Sequence, residues 1–330
     1  MRYFITGATG FIGGEVARQL IAAGHEVVAV VRSPGKAQPL ADLGVQIAAG
    51  DIADKESMRG PMTGVDGVFH IAGWYKIGPG IKGRAEAERT NVQGTRNVLE
   101  LMRELEIPKG VYTSTIGIFS DTHGRVPDET YRYNGPFLNE YERSKWIAHY
   151  EVAEPMIRDG LPLVIVQPGA VYGPGDTSPI GETLEQYLQH RLPAIPRRTA
   201  YCWAHVEDTA RGHLLAMDKG ALGEAYIIAG QVATLVDALQ LAQEITGIPT
   251  PRLRFAPGMM KAAAQVMSLI GGVVPLPLTF KPEVLRTAAG VTYLGSSDKA
   301  REALGFTTRP LIEGLRETLL YDMQRLEINQ

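Results

Sequence analysis

Almost wholly apolar runs and helical patterns alternate along the first half of the chain. The β-branched run Glu26–Val31 (EVVAVV) is typical of a strand that is buried on both faces of a sheet. Similar runs occur at 2–5, 45–49, 67–71, 110–115 and 163–167, and helical stretches lie between them, most clearly at 86–105 and 140–157. This alternation predicts an α/β fold of the Rossmann type, a doubly wound parallel sheet with right-handed crossovers and helices on both faces.

The alternation ends at about residue 170. A turn-rich segment, GAVYGPGDTSP at 169–179, is followed by short isolated elements and a Pro/Arg-rich piece, LPAIPRR at 192–198. We therefore predict a dinucleotide-binding domain over residues 1–170 and a smaller substrate-binding domain over 171–330. The two are expected to interleave, because a segment near 204–230 contains the strand-like run AYIIAG and is predicted to return to the sheet.

Composition excludes several classes of protein. The chain of 330 residues has 33 Lys+Arg against 36 Asp+Glu, and this net charge of -3 argues against a nucleic-acid partner. Cys202 is the single cysteine, so an intrachain disulfide is excluded and a reducing compartment is favoured. Gly7 and Gly10 interrupt the N-terminal apolar run, unlike a signal peptide, and no stretch reaches the roughly 18 apolar residues of a membrane span. We expect a soluble cytoplasmic protein and assign no metal site.

A glycine-rich motif, TGATGFIG at 6–13, directly follows the first predicted strand and opens the first helix. Gly7 would permit the tight turn, Gly10 the close approach of a pyrophosphate, and Gly13 close packing of helix on strand. The free N–H groups and the positive dipole end of the helix attract phosphate. An ordinary strand–helix turn is the alternative, but the context favours a dinucleotide site. Its predicted contacts are Gly7, Thr9, Gly10, Phe11, Ile12 and Gly13.

The residue that closes the second strand discriminates between the two nicotinamide dinucleotides. NAD sites place an acidic side chain about 20 residues after the glycine motif, where it binds the ribose 2′-hydroxyl. This chain has Arg32 there, 19 residues after Gly13, and Lys36 shortly beyond. A guanidinium pairs bidentately with a 2′-phosphate, although a solvent-facing arginine is the alternative. We predict NADP(H), with NAD(H) as the alternative.

Tyr141 and Lys145 are four residues apart and therefore share one face of a predicted helix. A free tyrosine titrates near pH ~10, and a neighbouring ammonium stabilises its anion, so the pair suits acid–base chemistry at neutral pH. The spacing alone is common, and a surface pair is the alternative. A strand ending in hydroxyls, Val111–Thr115, precedes the pair, and a strand running into a rigid turn, QPGAVYGPGD at 167–176, follows it.

Together these motifs resemble the extended short-chain dehydrogenase/reductase family, and within it the dihydroflavonol-reductase-like branch of the NAD-dependent epimerase/dehydratase group. The resemblance covers nearly the whole chain. Its further matches are Gly50-Asp51-Ile52, His70-Ile71-Ala72-Gly73, Asn91 to Thr95, YERSK at 141–145, His205 to Ala210 and the C-terminal segment 305–315.

The resemblance implies a catalytic set. Tyr141 would be the general acid/base, Lys145 would bind the nicotinamide ribose and favour the tyrosinate, and Thr115 would hold the reacting oxygen, with Ser114 as a helper. Two residues depart from the common pattern, since Gln167 stands where many relatives have Arg and Thr115 replaces the commoner Ser. The further cofactor contacts implied are Asp51, Ile52, Ile71, Ala72, Gly73, Asn91, Thr113, Tyr141, Lys145, Pro168, Ala170 and Val171.

The resemblance also implies a homodimer that pairs through the helices at 86–105 and 140–157. A Met-rich apolar stretch, which contains Met259, Met260, Met267 and Leu269, is predicted to be helical and either to cap a substrate pocket or to pack in the core.

Three functions stay open. The first is an NADP(H)-dependent oxidoreductase acting on a carbonyl or secondary alcohol of a small to medium apolar molecule, favoured by Arg32 and by aromatic residues near the expected cleft. The second is a nucleotide-sugar epimerase or dehydratase, because a basic group at 190–198 suits a diphosphate. The third is an NADP-binding sensor or scaffold, against which the titratable pair argues. The aromatic residues are Trp74, Tyr75, Tyr133, Tyr172, Tyr201 and Trp203, and the basic ones His190, Arg191, Arg197 and Arg198.

Overall fold

The computed structural model describes residues 1–76, 83–192, 194–256 and 289–328, together with the isolated positions 258, 259, 262, 265 and 287. The predicted Met-rich cap lies outside the described residues, apart from the exposed Met259.

Seven strands form the main sheet, and all of them run parallel. They are β1 (Arg2–Thr6), β2 (Glu26–Val31), β3 (Gln46–Ala49), β4 (Gly67–His70), β5 (Gly110–Thr113), β6 (Leu163–Pro168) and β10 (Ala225–Ile228). Their order across the sheet is β10-β6-β5-β4-β1-β2-β3. The direction of winding therefore reverses between β1 and β4, which opens a ligand crevice at the carboxyl ends of these strands. The predicted Rossmann-type parallel sheet is confirmed.

Helices cover both faces of the sheet and explain why its strands are almost wholly apolar. Alternate residues point to opposite faces, so that Ile5 and Val111 join one core while Phe4 and Tyr112 join the other. The helices of the described residues are α1 (Phe11–Ala22), α2 (Gln38–Asp42), α3 (Lys55–Met62), α4 (Arg84–Ala87), α5 (Gly94–Glu104), α6 (Glu140–Ile147), α7 (Glu154–Arg158), α8 (Pro179–Leu188), α9 (Val206–Lys219), α10 (Leu235–Thr246), α11 (Asp298–Leu304) and α12 (Leu311–Arg325).

Each of the two long predicted helices contains a π-helical turn. Glu88–Gln93 joins α4 to α5, and Ala148–Ala153 joins α6 to α7. The second turn ends just before Pro155, which has no N–H for the normal helical hydrogen bond. The wider π turn thus lies where the helical ladder is weakest.

A second unit packs beside the main sheet. Its strands β7 (Ala170–Tyr172), β9 (Ala200–His205), β11 (Gln231–Thr234) and β13 (Thr292–Tyr293) form one sheet, and β8 (Ala194–Pro196) pairs with β12 (Leu253–Phe255). Helices α8, α10 and α12 bury a third core against them. Because β10 belongs to the main sheet, the chain passes between the two units repeatedly. The domain limits at 170 and 171 stay a prediction.

None of the helices described here is both long and apolar enough to cross a membrane.

The turn between β1 and α1 depends on glycine. Gly7 has a φ of +77°, and a Cβ on it would lie 2.6 Å from the backbone nitrogen of Ala72. A Cβ on Gly13 would lie 2.1 Å from the carbonyl oxygen of Gly7. The N–H of Gly10 donates to that same oxygen at 2.9 Å. These contacts bring the N-terminus of α1 against the end of β4.

Gly13→Ala is expected to destabilise the protein, because the added carbon forces the turn and α1 apart. The expected loss is about 1–3 kcal/mol in the free energy of unfolding, measured by urea denaturation. Gly35→Ala is the control, since a Cβ there meets nothing within 4 Å, and its effect should stay within roughly 0.5 kcal/mol. Equal stability of the two variants would contradict the close packing at Gly13.

Candidate functional site

The residues predicted for the site meet at one edge of the main sheet. Because parallel strands end at the same edge, the segments that follow them come together there. Those segments are the glycine turn after β1, Arg32 after β2, Asp51 after β3, residues 71–73 after β4, Thr115 after β5 and residues 168–171 at the end of β6 and in β7.

The hydroxyl of Thr6 fastens the end of β4 to β1. It accepts from the N–H groups of Ile71 and Ala72, each at 3.1 Å, so its own hydrogen is directed to Nδ1 of His70 at 2.8 Å. Nε2 of His70 then donates to the hydroxyl of Thr95 at 3.0 Å. Burial and Lys145 lower the pKa of His70 to about 3. His70 is therefore a neutral, fully hydrogen-bonded residue that fixes the position of residues 71–73.

Asn91 holds the same segment from the other side. Its Oδ1 accepts from the N–H of Trp74 at 2.6 Å, and its Nδ2 donates to the carbonyl of Trp74 and to the hydroxyl of Ser144. All the polar atoms of this buried amide are thus engaged by the protein. Asn91 positions the crevice wall and joins it to α6, and its direct contact with a cofactor stays a prediction.

The N-terminus of α1 offers a fit for a dinucleotide phosphate. Its N-cap residue, Gly10, has no side chain with which to cap the helix, its first turn contains no acidic residue, and Thr9 and Gly10 are exposed. The positive end of the helix therefore faces the crevice without a protein anion. Because Gly7 and Gly13 have no side chains, backbone atoms pack closely at both positions.

Arg32 and Lys36 are exposed beyond the end of β2, and neither has an ion-pair partner in the part of the chain that the structure describes. Asp51 differs, because its carboxylate accepts from Arg89 at 2.8 Å and from the N–H of Ala53 at 3.0 Å. Ile52 is buried in the core. Two cations are thus free at this edge, and the predicted adenine contacts at 51 and 52 stay predictions.

Tyr141 lies in the first turn of α6, opposite Thr115. The Thr115 hydroxyl accepts from the N–H of Gly117 at 3.0 Å, which leaves its hydrogen for the phenolic oxygen of Tyr141. Burial raises the pKa of Tyr141 to about 12, and the hydrogen bond from Thr115 opposes that rise. The ring of Tyr75 meets that of Tyr141 edge to face, with centroids 4.7 Å apart.

Lys145 is buried one turn further along the helix and points to β5. Its Nζ donates to the carbonyl of Thr113 at 2.6 Å and to the hydroxyl of Tyr112 at 3.2 Å. Burial lowers the pKa of Lys145 to about 7. The sequence predicts that the ammonium of Lys145 stabilises the anion of Tyr141. In the described residues, the neighbouring groups that shift the pKa of Tyr141 are instead Thr115 and Glu142.

The other hydroxyls at the end of β5 have structural partners. Ser114 shares a hydrogen bond with Nδ1 of His149 at 2.8 Å, and Thr113 shares one with Nε2 of His213 at 2.9 Å. The geometry therefore directs Ser114 away from the helper role that the sequence suggests, and leaves Thr115 as the hydroxyl beside Tyr141.

The predicted aromatic residues occupy different places in the structure, and Trp74 is buried next to Asn91. Tyr75 contacts the ring of Tyr141, and Tyr201 lies close to Tyr75 and parallel to Tyr293. Tyr172 and Trp203 are buried in the third core, and the hydroxyl of Tyr133 donates to the carbonyl of Pro136 elsewhere.

Sequence reasoning missed two residues beside Tyr141. Tyr293 stacks parallel to Tyr201, with ring centroids 6.1 Å apart, and donates to Oε1 of Glu142 at 2.7 Å. Glu142 follows Tyr141 directly and reads as an exposed helix residue, yet it is buried. Long-range contacts bring Tyr293 here, namely the pairing of β13 with β9 and the hydrogen bonds of Thr292 with Asp121 and Thr122, so no local sequence pattern indicates it.

A separate cluster of His205, Glu207 and Glu317 has ligand atoms within 4.8 Å of one another, as a metal site would. The guanidinium of Arg309 donates to both carboxylates at 2.7 Å. This cation already neutralises the two acids, so an ion-pair network accounts for the cluster and we assign no metal to it.

The chain matches the model of the NAD dependent epimerase/dehydratase family over residues 3–229. It is 34% identical to sterol demethylase protein B of Methylococcus capsulatus over 269 residues, 80% of each chain. It is 34% identical to a putative dihydroflavonol 4-reductase of Synechocystis over 260 residues, 76% of this chain and 74% of that one. A 4-hydroxy-2-methyl-3-oxo-4-farnesyl-3,4-dihydroquinoline-1-oxide ketoreductase of Stigmatella aurantiaca is 30% identical over 94% of this chain and 92% of its own.

Solved structures share the fold across the whole chain. The crystal structure of gox2253 superposes with a TM-score of 0.85 at 28% identity and covers 99% of both chains. UDP-glucose 4-epimerase of Thermotoga maritima has a TM-score of 0.80 at 23% identity, over 99% of this chain and 100% of that one. With the glycine turn and the Tyr141–Lys145 helix in place, these matches show that the chain belongs to the NAD-dependent epimerase/dehydratase family of extended short-chain dehydrogenases/reductases, whose members bind a nicotinamide cofactor.

Proposed function

We propose that this chain is an NADP(H)-dependent oxidoreductase that moves hydride between the nicotinamide and a carbonyl or secondary alcohol of a small to medium apolar substrate. The observation that carries the proposal is the placement of Thr115 and Tyr141 side by side next to Gly117 at the crevice edge, with the buried Lys145 one helical turn away. A protein that only binds the cofactor has no use for a phenol held in this way.

The proposed chemistry divides between cofactor and protein. The nicotinamide, when bound, supplies or accepts the hydride. Tyr141 is protonated at neutral pH, because its pKa lies near 12, and it donates this proton to the carbonyl oxygen in the direction of reduction. The Thr115 hydroxyl orients that oxygen and afterwards donates to the phenolate. Lys145 would hold the nicotinamide ribose through its ammonium.

The preference for NADP(H) rests on charge. Arg32 and Lys36 stand at the end of β2, where the family fold receives the adenosine ribose, and both lack a carboxylate partner within the described ranges. A guanidinium matches a phosphate in shape and charge, while a bare hydroxyl would leave both cations unused.

An apolar substrate is supported by the tyrosines beside Tyr141. Tyr75, Tyr201 and Tyr293 offer aromatic surface against which an apolar molecule can pack. One relative is named as a ketoreductase of a farnesyl-bearing compound, which agrees with this chemistry.

The second candidate is a nucleotide-sugar epimerase or dehydratase with tightly held NAD(P). It is supported by Arg191, Arg197 and Arg198, which are exposed around β8 and have no ion-pair partner among the residues with described positions. Net oxidation of NADPH with a panel of ketones and aldehydes would support the reductase, whereas interconversion of UDP-sugars without net cofactor change would support the epimerase.

We also propose a cytoplasmic homodimer. Its interface would be the outer face of the two π-turn helices, where Glu88, Arg89, Val92, Gln93 and Ile147 line a shallow groove.

Tyr141→Phe is expected to lower kcat for carbonyl reduction by at least about 1000-fold, because general acid catalysis is lost with the hydroxyl. The ring and the fold are kept, so the Kd for NADPH should not change. NADPH absorbance and fluorescence titration measure the two quantities. Tyr133→Phe, which loses a hydroxyl that donates to the carbonyl of Pro136, is the control. Full activity of Tyr141→Phe would exclude the assigned role.

Arg32→Ala is expected to weaken NADPH binding roughly tenfold to 100-fold and to leave NADH binding unchanged, since a charged pair with the 2′-phosphate is lost. Arg103→Ala serves as the control, because Arg103 is exposed in the last turn of α5. Isothermal titration with both cofactors measures the effect. An equal loss for NADPH and NADH would argue against the phosphate contact.

Lys145→Met is expected to abolish turnover and yet stabilise the cofactor-free protein. The folded-state pKa near 7 lies below the ordinary 10.5, so the unfolded chain binds more protons between these values and wild-type stability rises with pH through this window. The variant should therefore exceed the wild type by about 1–4 kcal/mol at pH 6.5, with the gap closing toward pH 10.

Urea unfolding at several pH values measures this gap. Lys219→Met is the control, because the exposed Lys219 also donates to a backbone carbonyl. A constant gap between Lys145→Met and wild type across the window would contradict the lowered pKa.

A further inference from the structure

A fully hydrogen-bonded carboxylate is buried directly beside Tyr141. Glu142 is 1% exposed. Its Oε2 accepts from the hydroxyl of Ser120 at 2.9 Å and from the N–H of Leu138 at 3.1 Å. Its Oε1 accepts from Nδ2 of Asn139 at 2.8 Å and from the hydroxyl of Tyr293 at 2.7 Å. Each oxygen therefore has two donors.

These four donors come from three separate parts of the fold. Ser120 ends the 3₁₀ turn that Thr115 begins, and Leu138 and Asn139 lead into α6. Tyr293 belongs to β13 in the second unit. Glu142 thus joins the hydroxyl-bearing turn, the start of the helix of Tyr141, and the sheet on the far side of the crevice.

Keeping this carboxylate in the interior has a cost. Removal of a charge from water is unfavourable unless hydrogen bonds replace the lost hydration. Burial raises the pKa of Glu142 to about 7, and the four donors oppose that rise. An apolar residue would avoid the buried charge but would leave the four donors without an acceptor, so the carboxylate serves as their common acceptor and not only as packing.

The role follows from what Tyr293 touches. Its ring lies parallel to that of Tyr201, with an angle of 1° between the planes. Tyr75, which contacts the ring of Tyr141, is close enough to affect the pKa of Tyr293. Tyr75, Tyr201 and Tyr293, which we call the tyrosine wall, therefore border the space in front of Tyr141.

We propose that Glu142 is a positioning residue that holds Tyr293, and through it Tyr201, in place to form the tyrosine wall against which the apolar skeleton of the substrate packs. This inference rests on the proposed function. It assigns substrate recognition to a link between α6 and β13, and it leaves cofactor binding and proton transfer to other residues.

The donor set explains why a carboxylate is required. The backbone N–H of Leu138 donates to Oε2, and the side-chain NH2 of Asn139 donates to Oε1. A backbone N–H cannot accept a hydrogen bond. The amide of Asn139 cannot be reversed either, because its Oδ1 already accepts from the N–H of Glu142. A glutamine at 142 would therefore direct its own NH2 group at one of these two donors in either orientation. Glu142→Gln keeps the volume and breaks the network.

The test compares Tyr293→Phe and Glu142→Gln with Tyr187→Phe. The control also loses a buried hydroxyl that donates to one acceptor, the carbonyl of Ile248, in the third core. The measurements are KM and kcat for a ketone found to be reduced by the wild type, Kd for NADPH, and hydrogen–deuterium exchange of residues 289–295.

Tyr293→Phe is expected to raise KM about tenfold while kcat changes less than about threefold, because one hydrogen bond to a charged group is lost. Kd for NADPH should not change, and exchange at 289–295 should become faster. Glu142→Gln should likewise raise KM and speed exchange, and its kcat is not used as a test, because Glu142 is also one of the groups that shift the pKa of Tyr141. The double variant should resemble Glu142→Gln alone, since the two groups act through each other. Tyr187→Phe should show none of these effects.

Values of KM and exchange in Tyr293→Phe that equal those in Tyr187→Phe would overturn the proposal, as would a parallel loss of NADPH affinity. If the wild type reduces no carbonyl compound, the proposed function fails, and exchange alone then decides the link. Faster exchange at 289–295 in Tyr293→Phe and Glu142→Gln than in the control would support it, and equal exchange would overturn it.

Discussion

The site depends on the close approach of two backbone segments at the point where the sheet changes its winding direction. The glycine turn after β1 packs against residues 71 and 72 at distances that exclude any side chain on Gly7. Such an approach buries N–H groups, and the hydroxyl of Thr6 satisfies two of them at once. Without this hydroxyl, the N–H groups of Ile71 and Ala72 would need a water molecule as acceptor, and the close packing of the two segments leaves no room for one.

A second constraint is electrostatic. Tyr141, Glu142 and Lys145 are consecutive or one turn apart on a single helix, and all three have pKa values shifted by burial. At neutral pH the shifts of Glu142 and Lys145 make the fold less stable than an apolar packing would be, whereas Tyr141 is uncharged in both the folded and the unfolded chain and adds no such cost. Hydrogen bonds with β5, β13 and the 138–139 loop offset part of this cost. Stability is given up here so that groups able to exchange protons can stay dry and fixed in position.

Local chemistry made much of this predictable from the sequence. Strands buried on both faces are continuously apolar, glycine positions follow from steric limits, and a Tyr–Lys pair four residues apart must share a helix face. The partners of Asp51, Ser114 and Glu142 were not predictable in this way. Each is satisfied by a residue far away along the chain, Arg89, His149 and Tyr293 respectively. Such pairings depend on the three-dimensional fold, and no local periodicity of the sequence indicates them.

The interleaving of the two units has a mechanical consequence. The chain leaves the main sheet after β6, returns for α9 and β10, leaves again for β11 and returns for α11 before ending in α12. Two units joined by several crossing segments have less freedom to move apart than units connected by one linker. We therefore expect a ligand to enter the crevice through smaller displacements than a freely hinged pair of units would allow, while the sheet edge at its floor stays in place.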